Sequence, residues 1–347
     1  WLNDEMNAHD SGKLIIAEDL AANEWMTRST GEGGAGFDSQ WDVNFVHPIR
    51  SELELVNDAD RNMWNVKDAI LASYNGSHTQ RVIYTESHDE VANGNARLPE
   101  EISPGDAGNW FARKRSTLGG ALVLTTPGIP MLFQGKEFLE DGYFDDEDPL
   151  DWTKVKTYSG ILQLYKDLIA LRTNNEGHTG GLAGSSTNVH HVNDLGKVVA
   201  YHRWGDGGIG NDVVIVMNFS VKQKNVYRIG FPHEGDWYML FNSDSSAYAD
   251  DYEDVGHDII ATPFGYDGMA YSGIIDLAPY SVQIFSQSGD TSEPCVADIN
   301  DDGVVDVTDL LIIIGAWGTP DADITGDNMT NVEDLLLAIG EFGPCPR

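Results

Sequence analysis

The sequence predicts an α/β region first, an all-β sandwich second and a small helical module last. Three observations carry this. Short apolar runs alternate with helical stretches up to about residue 175. From about 185 to 288, strand-like runs are separated by Gly- and Asp-rich turns, with no helical pattern between them. After a polar linker, one leucine-rich segment occurs twice. The chain of 347 residues has room for two or three domains, and its 41% apolar content supports a sizeable core.

Taken in order, the chain opens on a helical pattern, Trp1-Leu2-Asn3-Asp4-Glu5-Met6, which reads as the continuation of a longer chain. Leu14-Ile15-Ile16-Ala17 is an apolar strand that ends in Glu18-Asp19. A weaker strand, Gly36-Phe37-Asp38, precedes Trp41. Arg81-Val82-Ile83-Tyr84-Thr85 ends in Glu86-Ser87-His88-Asp89, and Ile129-Pro130-Met131-Leu132-Phe133 ends in Gln134-Gly135. Helical segments fall between and after them, from Trp110 to Leu124 and from Ile161 to Arg172. Strands alternating with helices imply parallel βα units. Polar groups at the C-terminal ends of such strands are where parallel barrels place their chemistry. In the second region, residues 198–204, 213–219 and 281–285 read as strands, which implies an antiparallel sandwich.

The formal net charge of −35 repels nucleic-acid phosphates and anionic lipid surfaces, and it suits neutral ligands and divalent cations. No run of eighteen apolar residues occurs, so no membrane-spanning helix is expected. The two cysteines, Cys295 and Cys345, bracket the last module; a closing disulfide is expected, and with it an oxidising, extracellular compartment.

That module is an internal repeat. Asp309-Leu310-Leu311-Ile312-Ile313-Ile314-Gly315-Ala316-Trp317-Gly318 recurs as Asp334-Leu335-Leu336-Leu337-Ala338-Ile339-Gly340-Glu341-Phe342-Gly343. An Asp/Asn-rich loop precedes each copy. In the first, oxygen ligands fall at Asp298, Asn300, Asp302, Asp306 and Asp309, with Gly303 at the sharp turn and the Val304 carbonyl next. This is the spacing of an EF-hand-type loop, which gathers hard oxygen donors around Ca²⁺. The second loop offers Asp323, Thr325, Asp327, the Met329 carbonyl, Asn331 and Asp334, with Asn328 in place of the glycine. Asn tolerates the left-handed turn, whereas Thr325 is a poorer ligand, so the second site is expected to be weaker. With Asp at the twelfth position and no helix ahead of the loop, the module resembles a type I dockerin. That resemblance implies docking to a cohesin domain or a cell-surface scaffold. The pairs ahead of the twelfth position, Val307-Thr308 and Val332-Glu333, differ between the repeats and argue against symmetric docking.

Three motifs in order, Leu14 to Leu20, Ser87-His88-Asp89-Glu90 and Thr126 to Phe138, resemble strands five, seven and eight of glycoside hydrolase family 13, and the resemblance covers roughly the first 288 residues. It implies the C-terminal half of a TIM (β/α)8 barrel over residues 1–180, a β-sandwich over 185–288, a linker at 289–294 and the dockerin-like module at 295–347. It further implies that Glu18 is the acid/base, that Asp89 steadies the distorted sugar and the oxocarbenium-like transition state, and that His88 hydrogen-bonds sugar hydroxyls. The family's nucleophile, an Asp in an Arg-x-Asp setting on the preceding strand, has no counterpart ahead of Glu18, so this stretch is expected to be inactive alone. The substrate class implied is an α-glucan polysaccharide. Glu86-Ser87-His88-Asp89 and Gly36 to Trp41 lean towards branching enzymes, and the tail leans towards extracellular polysaccharide breakdown, so hydrolysis and transfer both stay open. The alternative from another class is a non-catalytic, calcium-dependent binding protein.

Overall fold

The computed structural model describes residues 1–10, 12–288, 296–300 and 304–344. They fall into two compact units, within residues 1–289 and 290–347. The first unit begins with helix α1 (Leu2–His9) and continues through β1 (Ile16–Ala17), β2 (Ser39–Trp41), α2 (Val43–Glu54), α3 (Met63–Leu71), β3 (Arg81–Ile83), α4 (Leu98–Ile102), α5 (Trp110–Thr125) and β4 (Ile129–Pro130). The four strands lie parallel in the order β1-β2-β3-β4. Helices α2 and α3 cross from β2 to β3, and α4 and α5 from β3 to β4, while a long loop joins β1 to β2; parallel neighbours cannot be joined by a tight turn. The helices start where side chains cap them: Asp42 accepts from the Asn44 amide, Asn62 from Trp64 and Asn109 from Ala112.

The strands are shorter than the apolar runs suggest. Only Ile16 and Ala17 of the Leu14–Ala17 run pair, and Leu14 is 68% exposed. The strand expected at Gly36–Asp38 forms three residues later, at Ser39–Trp41, because Asp38 turns its carboxylate back to the Ile15 amide at 2.7 Å. Among the described residues β1 and β4 are both edges of the sheet.

An ion pair buried at the base of this sheet joins its parts. Arg81 Nη1 lies 3.1 Å from Asp42 Oδ2, and neither side chain is exposed. The Tyr74 hydroxyl also donates to Asp42, while Arg81 donates to the carbonyls of Ala69, Ile70 and Pro127. Asp42→Ala strands a buried guanidinium and is expected to destabilise this unit by about 3 kcal/mol, read as a lowered denaturant midpoint.

Short helices α6 (Lys154–Thr157) and α8 (Gly180–Ala183) flank α7 (Ser159–Arg172), and all-β structure follows. Its strands are β5 (Ser186–Asn193), β6 (Val198–Trp204), β7 (Asp212–Asn218), β8 (Lys224–Phe231), β9 (Gly235–Asn242), β10 (Ile259–Ala261), β11 (Tyr271–Leu277) and β12 (Ser281–Ser286). A six-stranded sheet in the order β10-β9-β12-β7-β6-β5 faces the β11-β8 pair. Val214, Val216 and Phe285 pack between the two sheets with Phe231 and Leu277. Val213, Ile215, Met217 and Ile284 point the other way, into a core shared with Leu118, Leu122 and Leu164 of α5 and α7. Burial on both faces explains why β7 reads as an unbroken apolar run rather than an alternating one.

The second unit holds β13 (Val304–Val305), α9 (Val307–Gly315), α10 (Val332–Gly340) and β14 (Gly343–Pro344). Asp306 and Asn331 close capping boxes at the two helix starts. Its core mixes both repeats: Ile299, Leu310 and Ile313 from the first pack with Ile324, Leu335 and Ala338 from the second.

Candidate active site

Glu18 follows directly on β1, and His88 and Asp89 lie five and six residues beyond β3, so all three leave the same, C-terminal end of the parallel sheet. The structure brings them together. One ligand atom from each lies within 4.8 Å of the others. His88 Nε2 stands between the carboxylates, 3.9 Å from Glu18 Oε1 and 3.4 Å from Asp89 Oδ1. Each side chain is about half exposed, at 54%, 47% and 45% for Glu18, His88 and Asp89.

Residues that the sequence reading left aside build the floor. Trp41, at the end of β2, meets Tyr84 edge-on with ring centroids 5.3 Å apart, and meets His88 at 6.0 Å. Burial, reinforced by the carboxylates of Glu90, Asp42, Asp89 and Glu18, pushes the Tyr84 phenol well up, so it stays protonated beneath a field of negative charge. Glu86 is buried and accepts the Leu98 amide at 2.7 Å, which fixes the loop after β3. Glu90 meets His47 at 3.0 Å. The loop after β4 is tied to the same region, because Arg97 donates to the Gln134 carbonyl at 2.8 Å. Lys136 is buried and bonded to the Thr85 hydroxyl; burial pulls its ammonium below the usual lysine range, and Glu86 opposes that pull. The signal for Trp41 was its place at the end of a strand, and Glu90 closes the motif quoted for the resemblance, though neither was given a role; nothing in the local sequence marks Tyr84.

Chemically, two carboxylates bridged by an imidazole on an open strand-end surface provide a proton donor, a stabilising negative charge and hydrogen bonds for a polyhydroxylated neutral ligand. Trp41 adds an apolar ring beside them.

In the second unit, Asp309 and Asp334 are buried. Asp309 accepts the amides of Ile299 at 2.9 Å and Asn300 at 3.3 Å; Asp334 accepts those of Ile324 at 3.0 Å and Thr325 at 2.9 Å. Burial would raise both carboxyls, but these donors outweigh it, holding Asp309 low and Asp334 at about 2. Asp323 accepts the amides of Gly326 and Asn328, and Asn331 donates to Asp327 at 3.0 Å. Asn328 has φ 69°, the left-handed turn expected of it. The donors are all oxygen, and the only basic residue from 289 to 347 is Arg347, so the set fits a hard divalent cation. Asp302, Cys295 and Cys345 lie outside the described residues. No helix among the described residues is long and apolar enough to cross a membrane.

Known proteins show what the chain is similar to. Residues 189–288 match the family described as alpha amylase, C-terminal all-beta domain. A 1,4-alpha-glucan branching enzyme of Pseudomonas syringae pv. tomato is 30% identical over 295 residues, which cover 82% of this chain and 38% of that enzyme. A branching enzyme of Corynebacterium diphtheriae is 27% identical, covering 81% of this chain and 39% of its own length. The chain thus spans under two fifths of these relatives. In fold it is similar to a pullulanase of Anoxybacillus sp. LM18-11 solved with maltotriose, at TM-score 0.58, 17% identity, 83% coverage of this chain and 41% of that one. An Anoxybacillus alpha-amylase gives TM-score 0.55 at 16% identity, covering 83% of this chain and 55% of its own. Residues 189–288 thus match the alpha-amylase C-terminal family, and over 82% of its length the chain is similar to part of a 1,4-alpha-glucan branching enzyme.

Proposed function

We propose that residues 1–288 are the C-terminal part of a retaining α-glucan hydrolase or transglycosylase. The observation that carries this reading is the meeting of Glu18, His88 and Asp89 at the C-terminal end of the sheet. In it, Glu18 protonates the departing glycosidic oxygen and later takes a proton from the acceptor. Asp89 stabilises the positive charge that develops on the sugar ring, and His88 holds a sugar hydroxyl between them. The attacking carboxylate comes from outside this stretch, since no Arg precedes Glu18. The acceptor, water or a sugar hydroxyl, decides between hydrolysis and branching; branching is favoured by the relatives.

The test compares this chain with a longer protein that carries all eight barrel strands, using amylose as substrate and reading reducing ends and iodine colour. No change with this chain and turnover by the longer protein is expected. Turnover by this chain alone would overturn the division of catalytic residues, and an inert complete barrel would overturn the enzyme reading.

The tail is read as a dockerin-like module that binds Ca²⁺ through Asp298, Asn300, Asp302, the Val304 carbonyl, Asp306 and Asp309, and through Asp323, Thr325, Asp327, the Met329 carbonyl, Asn331 and Asp334. When bound, the cation neutralises the loops and fixes their turns; the chain's own part is to present buried carboxylates already held by backbone amides. A protein partner, of cohesin or cell-surface type, is supported by exposed apolar residues that recur in both copies: Leu311, Ile314 and Trp317, then Leu336, Ile339 and Phe342, each at least 50% exposed. The cysteine pair and the calcium loops place the protein outside the cell in this reading.

A further inference from the structure

We propose that the pocket between α3 and β5 is a second oligosaccharide-binding site, sharing no residue with the Glu18–His88–Asp89 cluster and taking a short stretch of neutral α-glucan. The pocket measures about 450 Å³. Trp64 on α3 and Tyr266 on the turn after β10 both line it, and they are 50% and 40% exposed. Large rings left in water beside a concavity are a recognition feature rather than a packing one.

Both rings are held in place from beneath. The first turn of α3 is pinned by Asn62, which accepts the Trp64 amide at 3.0 Å, and by Asp194, which accepts the Met63 amide at 2.8 Å. The Tyr266 turn is closed by backbone bonds to Met269, while Asp267 takes His191 Nδ1 at 2.9 Å and the Gly230 amide at 3.1 Å. Lys67 sits over the Trp64 ring at 5.2 Å, so the cation of the pocket is already engaged.

His190 supplies the polar group that lacks a partner. In the pairing of β5 with β6, Val189 lies opposite Tyr201 and His191 opposite Ala200, so His190 is the extra residue of a bulge. Bulges re-aim side chains beside sites. Its Nδ1 faces the Asn188 carbonyl at 3.3 Å, and its Nε2 is buried with no hydrogen-bond partner among the described residues. Such an orphan needs an explanation in a folded protein. Burial pulls the ring down to about 4, so it is neutral at ordinary pH. A neutral ring with Nδ1 against a carbonyl carries its proton there, which leaves Nε2 as an acceptor that is covered as the ring lies and meets a hydroxyl donor when the ring turns toward the pocket.

These features select the ligand. Asp194 and Asp267 at the pocket, within a chain of net charge −35, disfavour anions. A pyranose offers an apolar C–H face to stack on a ring and hydroxyls to satisfy His190 and a carboxylate at once. The choice of α-glucan among neutral sugars rests on the function proposed above; the pocket itself does not.

The test uses the full chain, titrated calorimetrically with maltoheptaose and with cellohexaose. Maltoheptaose is expected to bind; Trp64→Ala and Tyr266→Ala should each weaken it roughly tenfold, and His190→Ala by several-fold, with unchanged thermal midpoints. Trp64→Phe, which keeps a ring, should retain most of the affinity, and Glu18→Gln should leave it unaltered. Binding that survives Trp64→Ala and Tyr266→Ala but is lost in His88→Ala overturns the second site and leaves the proposed function standing. Absent binding, together with turnover by the complete barrel, does the same. Binding of cellohexaose in preference to maltoheptaose through Trp64 overturns the α-glucan assignment at the pocket and counts against the proposed function as well.

Discussion

Glu18→Gln, placed in a protein that carries the whole barrel, is expected to lower kcat on amylose by on the order of 10²–10⁴ while glucan binding stays near its original strength. The amide has almost the shape of the acid and can take its place beside His88, but it has no acidic proton to give to the departing oxygen. The loss should therefore depend on the leaving group. With α-maltosyl fluoride, whose departing fluoride needs little protonation, glycosyl transfer to the enzyme should recover towards the original rate. Asp89→Asn is expected to lose comparably on amylose but to show no such recovery, because it removes charge from beneath the sugar ring rather than a proton from above the leaving atom. Near-normal kcat on amylose in either variant, or equal fluoride rescue in both, would show that the two carboxylates at the strand ends have been given the wrong parts.

The second large effect concerns the tail. Chelation with EDTA should melt residues 296–344 while leaving 1–288 folded, seen in the full chain as proteolysis confined to the tail and a loss of helical circular dichroism. Asp298, Asp306 and Asp309 crowd one loop with Asp302, and Asp323, Asp327 and Asp334 the other, against a single basic residue, Arg347. Their repulsion opposes compaction, and the core of Ile299, Ile313, Ile324 and Ala338 is small. With a divalent cation the repulsion becomes coordination, and the free energy of binding becomes free energy of folding. A disulfide between Cys295 and Cys345 would contribute about 4 kcal/mol by restricting the unfolded tail, so the experiment is run on oxidised and reduced protein. Identical helical signals with EDTA and with millimolar Ca²⁺ in both redox states would remove calcium from the account. Asp298→Ala should weaken binding more than Asp323→Ala, because the first loop offers Asn300 where the second offers only Thr325.

What was legible in the sequence follows from where local signals suffice. Glu18, His88 and Asp89 were singled out by the resemblance of three strand-end motifs to a known family, and the structure brings the three together. The helices read from Trp110 and Ile161 form as α5 and α7, and the two repeated segments form α9 and α10. The true length of β1 was not readable, since pairing depends on a neighbour that Leu14 does not have in this stretch. Strands β5, β8, β9, β10 and β11 were missed: β8, for one, leaves Asn225, Val226 and Arg228 exposed and buries only Ile229 to Phe231, so it shows no alternation. Tyr84 joins the site through tertiary contacts, which leave no mark at any one position.

Strand β7 shows how a fold can protect itself where its pattern says nothing. In a half-buried strand, a slip of one residue exposes every apolar side chain, and that cost sets the register. Here a slip would only exchange Val214 and Val216 for Ile215 and Met217, one apolar set for another. The discrimination lies at the two ends. Asp212 is held by His202 at 2.6 Å and His233 at 2.9 Å, and Asn218 donates to the carbonyls of Lys222 at 2.9 Å and Ala278 at 2.8 Å. These two polar residues are buried end stops: moving either by one position leaves a charge or an amide unpaired, so the strand is indexed by what it would lose at its termini rather than by what it hides along its length.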